Sequence, residues 1–383
     1  MKTETRALSY QKAMTSGKQP ALTSGRFAAA LRILEEAITA RAFPGCACGV
    51  LADGEVVLEG ALGRFTYEET APAVAAETVY DIASLTKVVA TTATVMLLVQ
   101  RRQLDLDTRL SELLPEFVAS RAAGDPGRRV TLRHLLAHNS GLPGYIRFYR
   151  TASDADALLR ACMELPLEAE PGTRSEYSDP GFILLGKALE TATGADLASW
   201  TLGEIFGPLG MRSSAFCPAE TARAAIPPTE EDTTFRHRRI QGEVQDENAA
   251  ILHGVAGHAG VFSNVPDLLR FSAAVLGSAA SARKRQGASF FASSVLEQFS
   301  RRQPPAGSSR AMGWDTPSSP SSSGRYFSPH SIGHLGFSGC SLWMDLDAAV
   351  AVVLLTNRTW PDRNSQLIRE VRPAFHDAVR EAL

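Results

Sequence analysis

Ser84 and Lys87 carry the most reactive pairing in this chain. They stand three residues apart in Asp81-Ile82-Ala83-Ser84-Leu85-Thr86-Lys87, so on a helix they share a face one turn from each other. A serine in the first helical turn faces the positive end of the helix dipole, which favours negative charge developing on its oxygen. The apolar stretch 88–100 that comes next would bury the lysine and lower its pKa, leaving a hydroxyl next to a potential base. The bare spacing is common and recurs at Ser9/Lys12 and Ser281/Lys284, both in polar sequence. A serine N-cap and a lysine paired with a carboxylate would read the same way.

Two further stretches bear on the choice. Glu176-Tyr177-Ser178-Asp179-Pro180-Gly181 places a tyrosine on a loop at the mouth of an apolar helix, from which its hydroxyl could face a cleft. Gly333-His334-Leu335-Gly336-Phe337-Ser338-Gly339 opens a strand, and its small residues would let a substrate backbone come close to the strand edge. By itself each fits an ordinary helix cap or an edge strand with a bulge.

Ser-x-x-Lys, Tyr-x-Asp and His-x-Gly, in that order, resemble the three active-site elements of the serine β-lactamases and penicillin-binding proteins. The spacing is similar to that of the class C β-lactamases, the low-molecular-weight D,D-peptidases and the related esterases. The stretch Thr131-Leu132-Arg133-His134-Leu135-Leu136-Ala137-His138-Asn139-Ser140-Gly141-Leu142-Pro143 also resembles that family, as do Asp246-Glu247-Asn248, residues 254–260 and residues 333–357. The resemblance runs from about Ser24 to the C-terminus. It implies that Ser84 is acylated by a carbonyl substrate, that Lys87 and Tyr177 form the proton-accepting pair, and that the oxyanion hole uses the backbone N–H groups of Ser84 and Phe337. It also implies hydrolysis of the acyl-enzyme by water, with no metal or cofactor. His334 would join Ser84, Lys87 and Tyr177 in the catalytic set, and Asp179, Leu335 and Gly336 would line the substrate site.

Two departures from the family pattern bear on specificity. Asp179 stands where many β-lactamases have asparagine. A carboxylate cannot donate to a substrate carbonyl, and it would hold Lys87 in its charged form. His334 and Leu335 replace a lysine and a hydroxyl residue, which predicts weaker, pH-dependent recognition of a substrate carboxylate. Both changes point away from an efficient β-lactamase, toward an esterase or a peptidase of D-amino-acid peptides. The rival from a different functional class is a non-catalytic receptor that keeps the cleft to bind ligand. A zinc hydrolase using His134 and His138 has Leu135 where the catalytic glutamate belongs, and an α/β-hydrolase is disfavoured because Gly-x-Ser-x-Gly does not occur.

The surrounding elements must position these groups. The chain has 383 residues, 44% hydrophobic, which is enough for one large domain with an ample core. A net charge of −2 without basic blocks gives no sign of a nucleic-acid partner; a small-molecule or peptide substrate is the expected partner. The five scattered cysteines suggest free thiols in a reducing compartment. With no apolar run beyond 88–99 and no secretory pattern, a cytoplasmic protein without a membrane span is expected.

Hydrophobic periodicity predicts a first helix over 24–41 capped by Ser24, then a hairpin of 46–51 and 55–61 turning at Asp53-Gly54. Helices are expected over 131–138, 152–163, 180–191, 195–209 and 266–276. Residues 223–245 read as polar loop, and 279–287 and 303–328 as mobile, low-complexity surface. A second hairpin turns at 345–347, and an amphipathic helix spans 362–383. Strands at both ends of the chain and helices between them predict an α/β (α+β) fold, β-lactamase/transpeptidase-like. It would have one antiparallel sheet built from both ends of the chain (residues 24–83 and 255–383), flanked by helices, with an inserted all-helical region at about 88–250. Residues 1–23 form a polar extension to this single domain.

Overall fold

The structure, a computed structural model, describes residues 25–284 and 289–383, with side chains at 281–284 excepted. Along the chain run α1 (Ala28–Thr39), β1 (Gly45–Ala52), β2 (Glu55–Gly63) and β3 (Tyr80–Asp81). The helical part then holds α2 (Ala93–Gln100), α3 (Leu132–Leu136), α4 (Ala155–Met163) and α5 (Asp179–Thr193), and closes on β4 (Ala215–Phe216). After it come β5 (Pro228–Asp232), β6 (Arg238–Gln241), β7 (Val261–Ser263), α6 (Val265–Lys284), α7 (Ser293–Ser300), β8 (Ile332–Leu335), β9 (Ser341–Asp345), β10 (Val350–Thr356) and α8 (Ile368–Glu381).

The main sheet has the order β2-β1-β10-β9-β8 and is antiparallel throughout. The two chain ends therefore meet at its centre, where Cys46 pairs with Thr356 and Ala52 with Val350. The expected Asp53-Gly54 turn is present, with φ of 51° and 84°, the left-handed pair that a two-residue hairpin requires. On one face, Leu31 and Leu34 of α1 and Phe375 and Val379 of α8 pack on Cys46, Cys48, Val352 and Leu354. On the other face a larger core joins the sheet to α6 and to the helical part. The apolar segment Ala83–Gln100 is long and apolar enough to cross a membrane, and it lies mostly inside this core.

Several expectations need correction. The first helix begins at Ala28, not at 24; Phe27 occupies the N-cap without a side-chain cap bond, and Ser24 lies outside the described residues, as does the 1–23 extension. The helix expected over 195–209 runs without a break from Leu197 to Leu209, but its middle turn, Leu202–Phe206, is π-helical. Residues 223–245 contain the β5–β6 hairpin, whose turn is held by Asp232 accepting three backbone N–H bonds. Glu230 and Asp232 are buried and paired with arginines, Arg363 and Arg236, which composition alone does not show. The helix expected over 266–276 continues as far as Lys284. In 303–328, Ala311, Met312 and Trp314 are fully buried, so this segment is a wall of the core.

Candidate active site

Ser84 sits on a sharp elbow. Strand β3 ends at Asp81, whose carboxylate accepts the N–H of Ala83 (2.8 Å) and of Gln245 (2.7 Å). Ala83 has φ of 47°, a left-handed conformation that alanine adopts only under external constraint. The expected α-helical first turn is absent. Ala83–Leu85 is a 3-10 turn and Lys87–Thr92 is π-helical before α2 begins. Side chains three apart nearly eclipse in 3-10 geometry, and Lys87 Nζ lies 3.0 Å from Ser84 Oγ.

Lys87 is fully buried, and its three ammonium protons have three acceptors: Ser84 Oγ, Asp179 Oδ1 at 2.7 Å and the carbonyl of His258 at 3.0 Å. Burial alone would push its pKa down, as the sequence suggested. The charge of Asp179, with Tyr177 beside it, outweighs that and holds it above the usual lysine value. The expectation of a lowered lysine pKa is therefore overturned, and the expectation that Asp179 favours the charged form holds.

Tyr177 precedes the N-cap of α5. Ser178 caps that helix by accepting the N–H of Gly181. Beside it, His138 Nδ1 accepts the Ser178 N–H at 3.0 Å, and the His138 ring lies 4.6 Å from the Tyr177 ring and 4.9 Å from that of Phe182. The Tyr177 hydroxyl reaches both Lys87 and Ser84. Burial raises its pKa; Lys87 opposes and Asp179 reinforces the shift, so the net direction is up. At rest, then, both candidate bases carry their protons.

The third wall is the β8–β9 corner. Gly336 is required there, because a Cβ at that position would lie 2.5 Å from the Ile82 carbonyl. Ser338 Oγ donates to the Asp81 carbonyl at 2.7 Å. These contacts dock the corner that carries Phe337 on the elbow that carries Ser84. Phe337 itself is exposed.

His334 is buried, with its ring 5.8 Å from that of Tyr177. Its Nδ1 lies 2.8 Å from the Leu335 carbonyl, so that nitrogen carries the proton and Nε2 is a bare acceptor with no protein partner. Burial first, then the positive charges of Lys87 and Arg310, press its pKa well below the ordinary histidine value. It is neutral at physiological pH, and the expected pH-dependent anchoring by His334 is overturned.

Residue-type signals missed His258 and Arg310. His258 enters through its carbonyl, which no side-chain pattern marks. The clue was Gly257: a Cβ there would lie 2.1 Å from the Phe182 carbonyl, so only glycine lets this loop reach α5 and Lys87. The His258 ring faces away, with Nε2 2.9 Å from Asp246. The zinc alternative fails on geometry. Helix α3 stops at Leu136 and His138 has φ of 54°, so His134 and His138 do not share a helix face. Among the described residues no cluster could hold a metal. Ser9/Lys12 and the side chains of Ser281 and Lys284 lie outside the described residues. Of the thiols, Cys46, Cys48, Cys162 and Cys340 are buried, Cys217 is exposed and all five are free.

The comparisons with known proteins agree with this architecture. The family model described as Beta-lactamase matches residues 31–373. The chain belongs to the beta-lactamase family. It is 29% identical over 349 residues to the N-acetylmuramyl-L-alanine amidase of Bacillus subtilis (strain 168), covering 83% of this chain and 78% of that protein. It is 25% identical over 346 residues to a Salmonella agona (strain SL483) protein with a provisional D-alanyl-D-alanine carboxypeptidase name, covering 82% and 79%. Among solved structures, EstCE1, a hydrolase with promiscuous acyltransferase activity, superposes with a TM-score of 0.75 at 20% identity, over 93% of this chain and 98% of that one. A penicillin-binding protein homologue from Caulobacter crescentus gives 0.74 at 18% identity, over 96% and 99%. Membership of this family makes the chain a serine hydrolase and disfavours the non-catalytic receptor.

Proposed function

We propose that this hydrolase cleaves amide bonds in peptidoglycan-derived or similar D-amino-acid-containing fragments, through an acyl-enzyme on Ser84. The observation that carries the reading is the Ser84 Oγ–Lys87 Nζ contact of 3.0 Å, with the Tyr177 hydroxyl reaching both groups. Ser84 Oγ attacks the carbonyl carbon in enzyme whose Lys87–Tyr177 pair has first lost one proton to solvent, and the Ser84 proton passes into that vacated place. The Ser84 and Phe337 amides take the developing oxyanion, an arrangement whose loss typically costs about 3 kcal/mol of barrier. Tyr177, on the departing side, returns the proton to the leaving amine, and water then attacks the acyl-enzyme by the reverse route. Ester cleavage is a second reading, favoured by Leu335, which leaves the β8 edge without a hydroxyl.

Intact-protein mass spectrometry after brief exposure to a penicillin, run beside hydrolysis of N-acetylmuramyl-L-alanine and of a D-alanyl-D-alanine peptide, tests the proposal. Amide cleavage that disappears in Ser84→Ala supports it. A penicillin adduct absent from Ser84→Ala would indicate that the pocket accepts D,D-peptide-like shapes. Turnover of simple esters with none of either amide would favour the esterase reading.

A further inference from the structure

The β8–β9 corner is held from behind by a buried cation. Arg372, on α8, is almost fully buried, and its guanidinium donates to three backbone carbonyls of the corner. Nε reaches Gly339 at 3.2 Å, and Nη2 reaches Gly336 at 2.8 Å and Cys340 at 2.9 Å. Among the described residues no carboxylate forms an ion pair with it, and Arg358 and Arg369 add positive charge around it. Burial, opposed by the Cys340 thiol and reinforced by those two arginines, presses its pKa down to about 10, so it keeps its charge at neutral pH. Buried charges are ordinarily paired, because taking an ion out of water is costly. A corner that needed only tying down could use a neutral donor and avoid that cost.

The contacts of Arg372 point to a use for the charge. The Gly336 carbonyl and the Phe337 N–H are the two ends of one planar peptide group. That carbonyl already accepts the Gly339 N–H at 3.0 Å, so the guanidinium is a second, charged donor to it. A cation on a carbonyl draws electron density along the amide and strengthens the N–H at its other end as a donor. Two donors on one oxygen also fix the plane of the peptide. The next peptide is held as well, since Arg358 Nε donates to the Phe337 carbonyl at 2.9 Å. In the proposed function the Phe337 N–H binds the developing oxyanion, so the group that receives negative charge is backed by a positive charge with no carboxylate of its own.

We propose that Arg372 is a positioning residue for the oxyanion hole, fixing and polarising the Gly336–Phe337 peptide so that its own charge is balanced only as the tetrahedral intermediate forms. This deepens the proposed function and rests on the Ser84 acyl-enzyme, and it holds for an amide or an ester substrate. The C-terminal helix thereby takes part in the reaction without touching the substrate.

The test compares 4-nitrophenyl acetate with its thionoacetate analogue on the full chain, on Arg372→Gln and on Arg372→Lys. A thiocarbonyl sulfur accepts hydrogen bonds weakly, so the thionoester gains little from the hole. Arg372→Gln should lose about 10²-fold in kcat on the oxoester with KM nearly unchanged. Its turnover of the thionoester should change less than about threefold, which also reports intact folding. Arg372→Lys keeps the charge without the fork, so the same selective loss should be about tenfold smaller; this variant carries the test if Arg372→Gln does not fold. Equal losses on both esters, a loss confined to KM, or an Arg372→Lys as impaired as Arg372→Gln would overturn the role of Arg372 and leave the Ser84 reading standing. Wild-type turnover of neither ester, with no labelling of Ser84 by a fluorophosphonate, would overturn both.

Discussion

Two walls of the cleft solve the problem of burying polar groups in opposite ways. On the wall formed by the Ser84 elbow and the start of α5, charges are buried and paired. Lys87 has an acceptor for every proton, and Asp246 behind it, in contact with His258, is held down to about 2 by that histidine, by a backbone N–H and by Lys87 against the effect of its own burial. On the β8 wall, His334 is buried without any charge to balance it and gives up its proton instead. Paired charges preserve a proton reservoir at the reacting atoms; an unpaired buried base becomes neutral and serves only as an acceptor. Where a sequence places a histidine therefore says little about its charge until its neighbours are known.

The largest expected effect breaks the first wall directly. Ser84→Ala should reduce kcat by at least about 10³-fold, measured as steady-state amide or ester hydrolysis; turnover near the wild-type value would move the nucleophile elsewhere. Asp179→Asn sharpens the comparison by making the charged wall resemble the neutral one. Asp179 raises the pKa of both Lys87 and Tyr177, so removing its charge lowers both. The rising limb of the pH–rate profile should then move to lower pH by about one unit or more. A limb that stays in place would mean that Asp179 does not set the proton affinity of the base.

The neutral histidines should be visible in stability. His376, buried between the Ser322 carbonyl and Ser341, is pressed down to about 4, chiefly by burial. A folded pKa below the unfolded value means that the unfolded chain binds more protons between about pH 6.5 and 4. Stability is therefore complete above about 6.5 and is lost as the pH falls through that window. His376 alone should contribute a loss of about 3 kcal/mol, with His138 and His334 acting in the same direction. Urea denaturation at about pH 7 and about pH 4.5 measures the slope, which His376→Asn should flatten; an unchanged slope would place the titration elsewhere. The smallest effect is expected far from either wall. At Gly54, φ is 84° and a Cβ would meet no atom, so Gly54→Ala should cost only the backbone term, about 1 kcal/mol by thermal denaturation.

Much of the fold was legible because short-range rules govern it. The Asp53-Gly54 turn and the apolar run after Ser84 each follow from a few adjacent residues, and the order of strands and helices implied a sheet closed by both chain ends. The β5–β6 hairpin was not legible, because its strands are short and two-sided polar, and their pairing partner defines them more than their composition does. Residues 303–328 misled for the related reason that composition reports solubility. Only the packing of Met312 and Trp314 shows that this segment is a core wall.

The sequence assigned Ser84, Lys87, Tyr177 and the β8 motif to one cleft only through the resemblance of their types and order to the family pattern, since each stretch by itself fits a helix cap or an edge strand. The protonation state of the site was decided only in three dimensions. A buried lysine is neutral or charged according to whether its desolvation outweighs its partners. Those partners include Asp179, 92 positions away in the chain, and a backbone carbonyl 171 positions away. Arg310 was invisible for the same reason, because its guanidinium comes within 5.0 Å of the Tyr177 ring centre through tertiary packing and through no local pattern. Sums of long-range electrostatic terms at distances of a few ångströms have no signature in linear sequence, and they exist only once the chain has packed.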